Sequence, residues 1–398
     1  MTTTESAPTY RAVLADPGRI TWYTAAALVR APVVMAPLAL VLLGHAAGSF
    51  AAGGLLAAAH ALGEAAGAPL MGRRFDTKPF VGQLRLALTL EAVTFALLAA
   101  LAGHAPVALL AVLAALAGAA AAGAPGGLRA QLAATTPDCL RPTALSLESS
   151  LNQSVWAFGP PLVSLLYVQF TATGAIAVLA VLSLLPALFA SRIPHRDLGA
   201  PGADDTPAER PTKTLRLIWP TALLSAAVMF LIGTVDVALP ARLTDVDSSP
   251  ALAGPVMAAF AVASVISGLV YGGRRWPGSA QAQSLVLLLA MAAALTLPAF
   301  TQAPWSYALA FAVAGLLYSP LLIIRNLALQ SQLPERVWAT GFSLLYAAAG
   351  VGYGAAGLLA AAALKYTNSS VAFVMCTTLT AALGITALTA ENRRRNPK

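Results

Sequence analysis

The sequence predicts an all-α membrane protein, with twelve transmembrane helices arranged as two pseudo-symmetric six-helix bundles. Three observations carry this. The 398-residue chain is 58% hydrophobic and only 10% charged, against roughly 25% charged in soluble domains, so it has too few polar residues to cover a water-soluble fold. Apolar runs of bilayer length, roughly 20 residues each, recur twelve times. A pattern at the end of the second run returns about 200 residues later, at the end of the eighth.

In chain order the spans fall at about 21–43, 48–71, 86–103, 107–128, 143–168 and 174–191, then 217–239, 251–272, 284–300, 306–324, 338–363 and 370–389. The polar N-terminus runs to Arg19, and no cleavage-type segment follows the first span. That span is therefore expected to be a retained helix rather than a signal peptide. The stretch 192–216 is the long polar break, rich in Pro, Gly and charge, and it reads as a linker. It divides the chain into 1–191, 192–216 and 217–398.

The net charge of +8 is a topology signal rather than a nucleic-acid footprint. With both termini in the cytoplasm, all but three of the 24 Lys and Arg residues fall on the inner side. The exceptions are Arg242 and Lys365 outside and Arg30 within the first span. This is the positive-inside pattern, and an odd number of spans would scramble it. The expected location is the cell membrane, multi-pass, with both ends inside. Cys139 and Cys376 suggest no disulfide framework, and no metal spacing is present.

The internal repeat is explicit. "GAPLMGRRF" (67–75) closes the second span, and "GLVYGGRRW" (268–276) closes the eighth. A second echo follows the fourth and tenth spans. Each has a proline, then an arginine (Arg129, Arg325), then a Pro-acid pair (Pro137-Asp138, Pro334-Glu335), then another arginine (Arg141, Arg336). Two parallel repeats joined by a linker can rock about a site between them.

On span count, linker and repeats, the chain resembles the major facilitator superfamily of secondary transporters. The family pattern after the second span, roughly G-x-x-x-D-R-x-G-R-R, is matched at its end by Gly72-Arg73-Arg74. In that register Ala65 holds the first glycine position, Pro69 holds the acidic position, and Asp76 lies nearby. The resemblance implies a latch on the cytoplasmic side built from Gly72, Arg73, Arg74 and Asp76. Gly159-Pro160 in "VWAFGPPLVSLL" looks like the Gly-Pro of drug antiporters, and "SLESSLNQSVWAFGPP" and "TVDVALPA" look similar to actinobacterial drug and metabolite efflux members.

Ionisable groups inside spans are the candidate site, because the bilayer penalises them. Arg30 lies about nine residues into the first span, about 14 Å deep at 1.5 Å per residue. It serves either a cargo or an ion pair between helices, and the resemblance implies that its helix lines a central cavity. Glu148, Asn152 and Trp156, spaced i, i+4, i+8, share one face of the fifth span and suit an amphipathic ligand and a proton. Asp236, in the seventh span, is either a proton-binding carboxylate or an outer-end residue reaching water. Glu64 is expected near the inner end of the second span, in a conformational salt bridge with a basic residue such as Arg129 or Arg141. Glu91 reads as a structural acid and His60 as a satisfied buried histidine. Gly350, Gly354 and Gly357, like Gly123, Gly126 and Gly127, read as packing or hinge positions beside Gly159 and Pro160.

The expected function is a monomeric, proton-coupled antiporter that exports a small amphipathic compound. The alternative is a proton-coupled importer of an anionic nutrient. A membrane-embedded enzyme is the remote third reading, since no Asp-rich, HExxH or clustered-histidine motif occurs. No cofactor, no metal and no nucleic-acid partner is expected; the partners are a small-molecule substrate, protons and the lipid bilayer.

Overall fold

The computed structural model describes residues 10–46, 50–196, 211–248, 252–274 and 276–395. Among these, all regular structure is helical. After a short α1 (Tyr10–Leu14) come α2 (Pro17–Ala46), α3 (Phe50–Thr77), α4 (Phe80–Leu101), α5 (Val107–Ala121), α6 (Ala124–Thr135) and α7 (Arg141–Leu188). The second set is α8 (Pro211–Asp245), α9 (Ala253–Gly272), α10 (Ala280–Thr296), α11 (Pro304–Gln332), α12 (Trp338–Tyr366) and α13 (Ser369–Arg395). Residues 197–210, most of the expected linker, lie outside the described residues.

Twelve crossings emerge from these helices. Long apolar stretches dominate nine continuous helical segments. One of them, α7, has 48 residues and breaks at Thr171, whose φ of 67° leaves the helical region, so it crosses out and back. The expected fourth span is α5 and α6 end to end. It separates at Ala122–Gly123, just before Pro125, which has no N–H for a continuous helix. α3 and α12, with 28 and 29 residues, complete the set.

The core is shared on one side of the molecule and separate on the other. A cluster around Trp22, Phe75, Phe80 and Leu128 also takes in Leu329, Trp338 and Phe342 of α11 and α12. Toward the opposite face, one cluster draws only on α2–α7 and another only on α8–α13. The two sets therefore close on the face that carries both described chain ends. This is also the face rich in arginine, and it is called the basic face below.

Candidate functional site

Arg30 lies near the middle of α2, a 30-residue helix, and is 3% exposed. Its Nη2 donates to Glu148 Oε1 on α7 and lies 3.3 Å from Tyr346 Oη on α12. Nη1 reaches the Ala26 carbonyl at 3.3 Å. Arg129, on α6, places its Nη2 on the same Glu148 oxygen, and its Nη1 donates to Asn326 Oδ1 on α11 at 3.3 Å. Its guanidinium also lies over the rings of Tyr346 and Phe342, 5.0 and 5.6 Å from their centroids. Glu148 is fully buried. One carboxylate thus sits between two guanidinium groups, and the second set of helices supplies an amide and two aromatic rings. Taken as ions, the three charged groups sum to a single positive charge. A buried trio of this kind costs several kcal/mol per ion in desolvation before any attraction is counted, so it is weak evidence for stability and good evidence for a task.

This placement corrects the expected role of Arg129. It does not pair with Glu64; it faces the centre, on Glu148. Glu64 lies midway along α3, not near its end, and is close enough to Glu91 of α4 to interact electrostatically. His60, one turn from Glu64, stacks on Phe95 with ring centroids 6.0 Å apart. Asn152 is half-buried and Trp156 is 49% exposed, one and two turns along α7 from Glu148. Asp236 belongs to α8, but its side chain lies outside the described residues; Gly357 belongs to α12, and its surroundings lie outside them as well.

The closure on the basic face has two parts. In the first, Asp76 accepts from the backbone N–H groups of Ala339 and Thr340, at 2.9 and 2.8 Å, and from the Thr340 hydroxyl. These N–H groups belong to the first turn of α12, which has no internal partner for them, and a carboxylate there also meets the positive end of the helix dipole. Asp76 is 4% exposed. Burial pushes its carboxyl up to about 7, outweighing the donated hydrogen bonds. Gly72, one turn earlier, allows the close approach, since a Cβ there would lie 2.7 Å from Ser343 Oγ. In the second part, α7 meets α9. The Thr143 hydroxyl donates to the Gly272 carbonyl at 2.6 Å, and Ser146 donates to the Gly268 carbonyl. Tyr10 adds a hydroxyl donated to the Leu269 carbonyl.

This geometry revises the motif register. Gly72 and Asp76 have the Gly-x-x-x-Asp spacing, so the acid is present and in contact, and Ala65 and Pro69 need not stand in for the motif. Arg73 and Arg74, expected in the latch, are exposed. Arg74 donates to Gln83 within its own set, at 2.9 Å. Gly350 and Gly354 are not packing positions here, because a Cβ at either would meet nothing within 4 Å. Gly159 is buried against Val34 of α2, and Pro160 follows it within α7.

A family model described as Major Facilitator Superfamily matches residues 23–337, most of the chain. The chain belongs to the major facilitator superfamily. Membership makes it a multi-pass transporter rather than an enzyme. Solved structures of similar fold include the human organic anion transporter MFSD10 (TETRAN), with a TM-score of 0.71, 15% identity, and coverage of 94% of this chain and 99% of that one. A bacterial homologue of the iron transporter ferroportin in its outward-facing state has a TM-score of 0.71 and 17% identity, covering 93% of this chain and 99% of that one. No curated protein matches the sequence. In this superfamily member, sequence reading missed Tyr346, Asn326 and Thr340. Their hydroxyl and amide groups carry no charge, so a scan for ionisable groups inside the spans does not mark them.

Proposed function

We propose that the chain is a proton-linked secondary transporter for a small amphipathic organic compound carrying an acidic group. The observation that carries this reading is the single carboxylate shared by two guanidinium groups at the junction of the two helix sets. A cationic cargo would meet a net positive site, whereas an anionic one gains two donors in fork geometry. The basic face is taken as cytoplasmic on the distribution of positive residues, and the chain divides into 1–191, 192–216 and 217–398 as rocking units and linker.

Glu148 links cargo to protons. In the closed form it occupies both arginines. A proton on Glu148 releases them, and an acidic group on the cargo then takes its place. Proton and anion therefore favour each other's binding and travel in the same direction. This reverses the order of the two sequence-based readings and favours the importer of an anionic compound. The exporting antiporter remains the second reading, supported by Gly159-Pro160 packed against α2. The organic anion named for the human neighbour agrees with the charge balance, although that neighbour shares only 15% identity.

Proteoliposomes loaded with a pH dye separate the two readings. With a panel of amphipathic carboxylates, a proton gradient in the direction of cargo flow is expected to accelerate uptake. Acceleration only by the opposed gradient would establish antiport instead. Cargo selectivity for organic cations would overturn the charge argument.

A further inference from the structure

Outside the junction of the two sets, a groove of about 580 Å³ runs along α9, α10 and α11 near the basic face. Its walls are apolar, and several of its side chains are exposed on the outer surface of the helices: Ile266 is 51% exposed, Val270 56%, Val286 65% and Leu316 45%. At the end nearest the basic face, the Trp276 ring stacks on Tyr271, with centroids 5.5 Å apart and planes within 6°. The Arg274 guanidinium lies 5.8 Å from the Trp276 centroid. Tyr271 donates to Gln283 Oε1 at 2.7 Å, and Trp276 donates to the Tyr271 carbonyl at 3.1 Å, so the aromatic pair is held in place by its own polar edges.

An apolar trough capped by stacked aromatics and an exposed guanidinium has the polarity profile of one lipid molecule. The hydrocarbon lies along the helices, the Trp and Tyr sit at headgroup depth, and the cation meets the phosphate. We propose that this groove binds a single anionic phospholipid, with one acyl chain along Val270 and Val286 and the phosphate on Arg274. A small soluble cargo fits the groove less well, because Arg274 is its only charged neighbour described and its walls offer few polar groups. The groove also backs the end of α9 whose other side carries Gly268 and Gly272, the acceptors from α7, so an occupied groove braces the closed basic face.

The test is native mass spectrometry of the purified full chain, delipidated and then titrated with phosphatidylglycerol or phosphatidylcholine of matched chains. The wild type is expected to retain one phosphatidylglycerol roughly fivefold better than phosphatidylcholine, the factor for one basic residue near an anionic surface. Arg274→Ala is expected to equalise the two lipids. Val286→Trp, which fills the trough from its exposed side, is expected to reduce retention of both. Thermal midpoints measured without lipid check that both variants fold. Equal retention of the two lipids by the wild type, or unchanged phosphatidylglycerol retention in both variants, overturns the proposal. Displacement by free glycerophosphate alone would also overturn it, since it would mean that the acyl chain contributes nothing.

Discussion

The α7 and α12 helices begin with the same spacing of hydroxyls, Thr143 and Ser146 in one and Thr340 and Ser343 in the other, yet the basic face closes on them differently. At α12 a carboxylate from the facing set, Asp76, takes two backbone N–H groups and the Thr340 hydroxyl. At α7 no acid arrives among the described residues. Thr143 and Ser146 donate instead to carbonyls at the end of α9. The glycine that permits close approach is Gly72 in one set and Gly272 in the other. A duplicated scaffold has kept the docking geometry and changed the chemistry. One contact carries a charge and can respond to protons; the other consists of neutral hydrogen bonds.

The two echoed arginines differ in the same way. Arg129 turns to the junction and shares Glu148 with Arg30. Arg325 stays within its own set, donating to Glu391 and to Thr221, each at 2.8 Å. One position became part of the candidate site, while the other ties α11, α13 and α8 together.

The largest expected effect breaks this second comparison. Glu148→Gln is expected to abolish proton-linked transport, by at least about 100-fold in flux measured in proteoliposomes. It leaves two guanidinium groups without a buried counter-charge, so it is also expected to lower stability by about 3–5 kcal/mol. Glu391→Gln is expected to destabilise comparably while leaving the pH profile of the remaining activity unchanged. If Glu391→Gln moves that profile and Glu148→Gln does not, the assignment of roles is wrong. Arg30→Ala is expected to stop transport with normal membrane insertion; wild-type flux in that variant would remove Arg30 from the site.

Next comes the gate. Asp76→Ala removes a helix cap worth about 1 kcal/mol, up to about 2 in favourable cases, so the closed-to-open ratio on the basic face is expected to fall roughly 5- to 30-fold. Thr143→Val removes one neutral hydrogen bond, worth about 0.5–1.5 kcal/mol, and is expected to have the smaller effect. Distances between spin labels on the two sets at the basic face measure both. A larger shift from Thr143→Val would invert the comparison.

The smallest expected effect is a pH slope. Asp76 is buried with its carboxyl near 7 in the closed form, and on opening it is wetted and returns toward the ordinary carboxylate range. The closed form therefore binds the proton more tightly. Closure is favoured at low pH, and that advantage is lost as pH rises through about 7. The closed fraction should fall between pH 5 and 8, and Asp76→Asn should flatten the curve. A closed fraction that rises with pH would show that the donated hydrogen bonds outweigh burial.

Much of this molecule was written in its sequence. The bilayer selects for long apolar runs and sorts positive residues to one side, so the spans and their number follow from local composition, and the two-fold repeat from the motifs echoed about 200 residues apart. Arg30 and Glu148 stood out for the same reason: a charge within a span is costly wherever it points. The sequence could not say that these two residues meet, that Arg129 joins them, or that Asp76 rather than Arg73 and Arg74 reaches the opposite set. Those facts depend on the rotation of α2, α6 and α7 about their axes and on which helix end faces which. Two of these contacts, Arg30–Glu148 and Asp76–Thr340, join residues more than 100 positions apart, and hydrophobicity, which has no direction, encodes none of them. Packing decides them, because only in the assembled bundle does each buried donor find its acceptor.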